Sequence, residues 1–250
     1  MLVIAHRGAR TEEPENTLRA LRRAAECKAD AVEVDARRCK SGEIVVIHDE
    51  TLERTTDGKG LVRREHTLAA LKSLNAGKGE RIPTLAEVLL LAKTLRMKIV
   101  VEMKEEGIEK DVLSEIKRAG MENNTIISSF YHRSLLRLKE LSGAEEIKTA
   151  IIIASLPVNP LNLAFEAKAD AIFARYPRLD ERMVKEAHEH HLEIFPWTVN
   201  DERALRDVLK MGVDGIVTDD PCEMRRILSE IEKNGGNGGK RGRNEQNFSA

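Results

Sequence analysis

Ala31-Val32-Glu33-Val34-Asp35-Ala36-Arg37-Arg38-Cys39-Lys40-Ser41-Gly42-Glu43-Ile44-Val45-Val46-Ile47-His48 is the stretch on which the reading of the fold turns. Two β-branched runs flank Ser41-Gly42, a dipeptide of turn type, so the segment reads as an antiparallel hairpin. A two-residue turn there pairs 40 with 43 and, counting outward, 35 with 48. Asp35 and His48 are then expected to face each other with Cβ atoms about 5 Å apart. The hairpin also decides the strand count. Short apolar runs alternate with helical stretches along the chain, and candidate strands end near His6, Asp35, His48, Lys104, Phe130, Ile153, Arg175, Val199 and Asp219. With 43–48 taken as an excursion from the second strand, eight parallel strands remain. The expected class is α/β, a (β/α)8 TIM barrel with a small insertion after the second strand.

The helices follow from apolar spacing and caps. Pro14-Glu15-Asn16-Thr17 opens one with Leu18, Leu21 and Ala25 at helical intervals, and Thr84 caps another through Leu85, Val88, Leu89 and Ala92. Further patterns occupy roughly 107–120, 131–142, 158–168, 180–191, 201–211 and 221–233. The barrel is expected to span 1–233 as one domain, with the insertion at about 50–82, where no clear helix-strand unit appears. The Gly-rich basic segment 234–250 has too little apolar surface to pack and is expected to be disordered.

With 41 basic and 42 acidic side chains the formal charge is −1, so no global field draws the molecule to nucleic acid or an anionic membrane. No apolar run approaches the roughly 18 residues of a membrane span. The start at Leu2-Val3-Ile4-Ala5 lacks the pattern of a secretory signal, and a cytoplasmic location is expected. Cys27, Cys39 and Cys222, odd in number and without metal-ligand spacing, read as isolated reduced thiols. A charged fraction of 33% beside a single glutamine, at position 246, is a balance associated with heat-adapted surfaces.

Barrel active sites lie where strands hand over to the following loops. The first strand ends in His6-Arg7-Gly8, the second holds Glu33 and Asp35, the hairpin returns to His48-Asp49, and a later strand holds Glu102 and Lys104. Residues two apart on a strand share a face, so Glu33 with Asp35, and Glu102 with Lys104, point the same way. Three carboxylates at one level repel unless a proton or cation intervenes, and a hard divalent ion, Mg²⁺ or Ca²⁺ (or Mn²⁺), suits oxygen ligands. Imidazole titrates near neutrality, so His6 and His48 can remove one proton and supply another, as phosphodiester cleavage requires. Arg7 and Lys104 either bind the substrate phosphate or neutralise the acids. Gly8 would let the backbone approach that anion. His188-Glu189-His190-His191 lacks zinc spacing and reads as a solvated face.

These residues, together with Glu50-Thr51-Leu52-Glu53-Arg54-Thr55-Thr56-Asp57-Gly58-Lys59-Gly60, Ile82-Pro83-Thr84-Leu85, Ser128-Ser129-Phe130, Trp197-Thr198-Val199-Asn200 and Asp214-Gly215-Ile216-Val217-Thr218-Asp219, resemble the glycerophosphodiester phosphodiesterase family over residues 2 to about 230. The resemblance implies a phospholipase C-like barrel in which Glu33, Asp35 and Glu102 bind the metal. His6 and His48 form the acid-base pair, Arg7 and Lys104 contact the phosphate, and Trp197 lines the substrate pocket. It departs at Tyr131, where the family often has an acid, and this bears on the leaving alcohol. The implied reaction is attack by a glycerol hydroxyl on phosphorus, giving a cyclic phosphate that water opens, with glycerol phosphate and a small alcohol as products. The rival readings are cleavage of a lysophospholipid or other lipid-derived diester, which an apolar patch beside the pocket would favour, and a barrel that binds a phosphorylated ligand without turnover.

Overall fold

The structure, a computed structural model, describes residues 1–142, 147–155 and 157–236. Its strands are β1 (Leu2–His6), β2 (Ala31–Arg38), β3 (Ile44–Val46), β4 (Lys98–Met103), β5 (Thr125–Ser129), β6 (Lys148–Ile153), β7 (Ala171–Arg175), β8 (Glu193–Trp197) and β9 (Gly215–Thr218). All but β3 pair in parallel in the order β1-β9-β8-β7-β6-β5-β4-β2, and β1 closes the barrel on β2, His6 opposite Glu33. β3 pairs with β2 alone and antiparallel, as the turn at Ser41-Gly42 implied.

The register of that hairpin differs from expectation by one residue. Ala36 faces Val46 and Arg38 faces Ile44, so 35 pairs with 47 rather than 48. The loop is three residues long: the Cys39 N–H donates to the Glu43 carbonyl and the Gly42 N–H to the Cys39 carbonyl. Gly42 takes a φ of 106°, which a side chain would resist. His48 therefore lies one residue past the ladder, outside the strand.

The helices are α1 (Leu18–Glu26), α2 (Val62–Glu65), α3 (Leu68–Ser73), α4 (Leu85–Thr94), α5 (Glu109–Ala119), α6 (His132–Ser142), α7 (Pro160–Glu166), α8 (Glu181–Glu189), α9 (Glu202–Met211) and α10 (Pro221–Gly236). Thr17 accepts the Ala20 N–H at the start of α1, and Thr84 and Glu87 form a reciprocal capping box on α4. The short helices α2 and α3 lie in the insertion, where no element was expected. α10 runs three residues past its expected end, and 237–250, the rest of the expected disordered tail, falls outside the described residues. No helix among the described residues is long and apolar enough to cross a membrane.

Strand alternation divides the apolar residues into layers. Val32, Val34, Ile99, Val101, Ile172 and Ile194 face outward onto the helices. Ile4, Ala31, Val100, Ala150, Phe173, Phe195 and Val217 fill the barrel interior. Phe195 reaches its place because Gly215 lacks a Cβ, which would come within 3.0 Å of the ring. A third cluster, Cys39, Val45, Ile47, Leu52, Val62, Leu71, Ala76 and Ile82, is the insertion's own core.

The aspartates before β2, β7 and β9 each accept a backbone N–H from a neighbouring strand: Asp30 from Val3, Asp170 from Thr149 and Asp214 from Ile194, all at 2.7 Å. Each also meets a cation or imidazole, respectively Arg225, Lys139 and His188. The remaining members of the late histidine cluster, His190 and His191, stay exposed.

The cysteine reading is corrected: Cys27, at the end of α1, and Cys222, in the first turn of α10, form a disulfide 195 residues apart in sequence, and only the buried Cys39 is free. Barrel closure sets β1–α1 beside β9–α10, a proximity that residue counting does not reveal. The bond also withdraws the support that unpaired thiols lent to a reducing compartment. Cross-linking over so long a loop constrains the unfolded chain, so Cys222→Ser is expected to lower stability by about 2–4 kcal/mol. Thiol titration of the denatured, unreduced protein should find a single reactive cysteine; three would remove the bond.

Candidate active site

Three carboxylates meet at the carboxyl end of the barrel. Glu33 and Asp35 leave the inward face of β2, and Glu102 stands opposite Asp35 on β4. Ligand oxygens of all three lie within 4.8 Å of one another, and Asp35 is wholly buried, with Glu33 and Glu102 4% and 7% exposed. Asn16, which was assigned no role, holds Asp35 twice: its Nδ2 donates to Oδ2 at 2.7 Å and its Oδ1 accepts the Asp35 N–H.

Arg7 reaches three acids. Its N–H donates to Glu33 Oε2 at 3.0 Å, its Nε lies 3.1 Å from Asp35 Oδ2, and its Nη1 donates to Glu15 at 2.9 Å. Its φ of 57° directs these contacts. Lys104 donates to Glu102 at 2.6 Å and stands 3.6 Å from Asp35. Both cations thus neutralise the acids here while still lining the cavity. Gly8 has another reason than the one expected: a Cβ there would come within 2.6 Å of Ala20, so its smallness admits α1.

Burial, with the negative charges of Asp35 and Glu102 beside it, pushes Glu33 well above the usual carboxylate range. Glu102 is pushed up to about 7, by burial first and Asp35 second. Burial acts the same way on Asp35, but Arg7, Lys104 and His48 outweigh it and hold that group low. One oxygen each of Glu33 and Asp35 is buried with no hydrogen-bond donor. Unsatisfied buried carboxylate oxygens beside a third acid form an oxygen-only donor set that fits a hard divalent cation.

Both histidines have one ring nitrogen committed. His6 Nδ1 lies 2.6 Å from Asp219 Oδ1, and His48 Nδ1 lies 2.5 Å from Asp49 Oδ1. An ionised carboxylate only accepts, so Nδ1 carries the proton in each and Nε2 is left for chemistry. Asp219 is in turn held by Asn200, whose Oδ1 accepts the Asp219 N–H and whose Nδ2 donates to Oδ2 at 2.8 Å. Asp49 is held by Arg54, which also donates twice to Glu15. Arg10 completes a path of ionic contacts between the histidines, 3.3 Å from Glu15 and 3.5 Å from Asp219. The sequence reading missed Asp219, Asn200, Asp49, Glu15 and Arg54 as partners. Each stands within one of the motifs that carry the family resemblance, Asp49 directly after a histidine and Asp219 directly after a strand. Burial lowers the His48 pKa despite Asp35 and Asp49.

His6, Arg7, Glu33, His48, Glu102 and Lys104 form one side of a cavity of about 180 Å³. The other side is apolar: Phe130, Ile152, Phe173, Trp197 and Val217, with the Ser128 hydroxyl. Trp197 both packs and lines the cavity, donating from Nε1 to the Phe173 carbonyl at 3.1 Å and meeting Phe130 edge-on.

The pattern of the glycerophosphoryl diester phosphodiesterase family matches residues 6–223. A glycerophosphodiester phosphodiesterase of Caldanaerobacter subterraneus subsp. tengcongensis is 37% identical over 94% of this chain and 99% of its own length. One from Bacillus altitudinis is 33% identical over 92% and 99%. Among solved structures, an Oleispira antarctica phosphodiesterase in complex with the product sn-glycerol-3-phosphate aligns with a TM-score of 0.83 at 26% identity, covering 92% of this chain and 97% of that one.

The raised carboxylates make stability depend on pH and metal. A carboxylate whose folded pKa exceeds its unfolded value penalises the fold fully above the folded pKa, and the penalty fades as pH falls through it toward the unfolded value. For Glu102 that window runs from about 7 down to the ordinary 4.5, and Glu33 acts in the same direction. His48 opposes them, since a depressed imidazole pKa favours the fold above 6.5 and loses that contribution on acidification. Two buried acids against one half-buried imidazole should leave the chelator-treated protein with a higher Tm near pH ~6 than near pH ~8. A divalent cation should abolish that rise. A Tm that falls on acidification in chelator would count against the buried charge cluster.

Proposed function

The chain belongs to the glycerophosphoryl diester phosphodiesterase family of phosphoric diester hydrolases, and on that premise we propose how its residues divide the hydrolysis of glycerophosphodiesters. The observation that carries the assignment is the convergence of two histidines with free Nε2 atoms, two cations and two acids, Glu33 and Glu102, on one cavity, with Asp35 buried directly behind them. A non-catalytic binder would have no need of paired, oriented imidazoles.

Glu33, Asp35 and Glu102 would hold one divalent cation, Mg²⁺ or Ca²⁺ with Mn²⁺ as an alternative, Glu33 and Asp35 through oxygens that lack donors. Such an ion supplies Lewis acidity toward a phosphoryl oxygen and a hold on the glycerol hydroxyls. Arg7 and Lys104, freed in part from the acids, bind the phosphate, and Trp197 lines the pocket for the rest of the substrate. His6 Nε2 lies 4.0 Å from Glu33, beside the group that would hold the glycerol, so His6 takes the proton of the attacking hydroxyl. His48, entering the step as the imidazolium with a second proton on Nε2, protonates the departing alcohol. In the second step His48 takes a proton from water and His6 returns one to the glycerol oxygen as the cyclic phosphate opens. The setting proposed is cytoplasmic, in line with the charge-rich, glutamine-poor composition of heat-adapted proteins, in which intracellular disulfides persist.

A second reading, of a lipid-derived diester as substrate, is favoured by the apolar side of the cavity and by its rim. Phe130 and Tyr131 are 43% and 44% exposed, and Val158 on the next loop is fully so. The two readings part in an assay of glycerophosphocholine against its 1-acyl analogue with each metal. Higher kcat/KM for the acylated substrate would select the lipid reading, and higher kcat/KM for the small diester would reject it.

His6→Ala and His48→Ala should each lower turnover by about 10²–10⁴-fold. A substrate with a good leaving group should rescue His48→Ala but not His6→Ala, and the reverse pattern would exchange their roles. Glu33→Gln should instead raise the metal concentration needed for half-maximal activity, with activity partly restored at high metal. Unchanged metal dependence would remove Glu33 from the ligand set.

A further inference from the structure

The inward face of β2 carries Glu33 and Asp35 at the barrel mouth and then Arg37, two residues beyond. Arg37 lies past the barrel rim, beneath the insertion, in a pairing with Val45 of β3. Its side chain is 9% exposed, and its Nε donates to the carbonyl of His48 at 2.8 Å. Its two Nη atoms make no hydrogen bond among the described residues. The nearest carboxylate, Glu50, stands 3.9 Å away and is 71% exposed. That separation is too long for a hydrogen bond and too wet for a strong ion pair.

A nearly buried guanidinium whose one carboxylate neighbour is distant and solvated is only weakly compensated. Arg37 lines a cavity of about 310 Å³ together with Arg63 and Arg64 of α2, and Glu50 and Glu105 are among its other lining residues. One Glu105 oxygen already accepts the Arg38 N–H at 2.9 Å, and the other stands 3.4 Å from Arg63. Arg64 makes no ion pair among the described residues. Three arginines thus line a space in which the two acids are committed or turned to solvent. The cavity is separate from the active one: none of its lining residues belongs to the other.

We propose that this cavity under the insertion is a second anion site, which binds a small phosphomonoester of the class to which the reaction product belongs, through Arg37, Arg63 and Arg64. Planar guanidinium forks match phosphate oxygens two at a time, and the volume leaves room for a short polyol beyond the phosphate. The site is joined to the reaction through one residue. Nε of Arg37 holds the His48 carbonyl while its Nη atoms hold the anion, so occupancy draws on the backbone that carries His48. That link, unlike the binding itself, rests on the role proposed for His48.

Isothermal titration of the metal-loaded protein with sn-glycerol 3-phosphate, and separately with inorganic phosphate, tests the site. Wild type should bind two equivalents. Arg7→Ala should weaken only one of them. Arg64→Ala, outside the residues that line the active cavity, should weaken the other by about tenfold or more and leave basal turnover unchanged. Arg63→Ala should act like Arg64→Ala, and the double variant should leave one equivalent. Binding of a single equivalent that Arg7→Ala removes, or a second equivalent indifferent to both α2 arginines, would overturn the proposal. Because the titration needs no turnover, it reads the site even where the catalytic assignment fails. The link to His48 is read from kcat: saturating the second site should change the kcat of wild type and not that of the Arg63→Ala/Arg64→Ala variant, and equal effects on both would refute the link.

Discussion

Three carboxylates are held within a few ångströms of one another and almost wholly out of water, and the rest of the barrel mouth is arranged around that repulsion. Parallel pairing of β1, β2 and β4 sets them at one level, since Glu33 is in register with His6 and Asp35 with Glu102. Arg7 meets the cluster twice, at Glu33 and Asp35, from a left-handed backbone, and Lys104 adds two contacts, to Glu102 and Asp35. The compensation is unequal: Asp35, which Arg7, Lys104 and His48 all favour as the anion, is held low, whereas burial drives Glu33 and Glu102 toward the protonated form. Such a cluster is poised for a cation whose binding would restore both charges.

The same electrostatic logic governs the histidines. Each imidazole is oriented by an acid, and each acid by a further donor, Asn200 for Asp219 and Arg54 for Asp49. Glu15 stands between Arg7, Arg10 and Arg54, which hold its carboxyl down at about 2 against burial. This path ties the βα loop after β1, the segment after the hairpin and the loop after β9 to one another. Orientation at the site is therefore shared among three segments distant in sequence, and the disulfide between α1 and α10 fastens two of the neighbouring units.

Much of this was legible in the chain. The alternation of β2 predicts that Glu33 and Asp35 share a face, because successive strand side chains point to opposite sides whatever the surroundings. Ser41-Gly42 predicts a reversal, and the reversal makes the strand count consistent with a closed barrel. Caps at Thr17 and Thr84 act through bonds only three residues long, so local sequence suffices to find them.

What the sequence could not settle involves either single-residue precision or contacts across the closed barrel. Hairpin register depends on the left-handed turn at Gly42, and one residue of slip moves His48 off the ladder. The partnership of His6 with Asp219 spans 213 residues and that of Cys27 with Cys222 spans 195. Nothing local in the chain marks Arg37, and only the insertion folded over β2 makes it a nearly buried cation lining a cavity. Local chemistry and periodicity act over a few residues and are written in the chain, whereas the distances that turn side chains into partners exist only after the first strand has closed on the last.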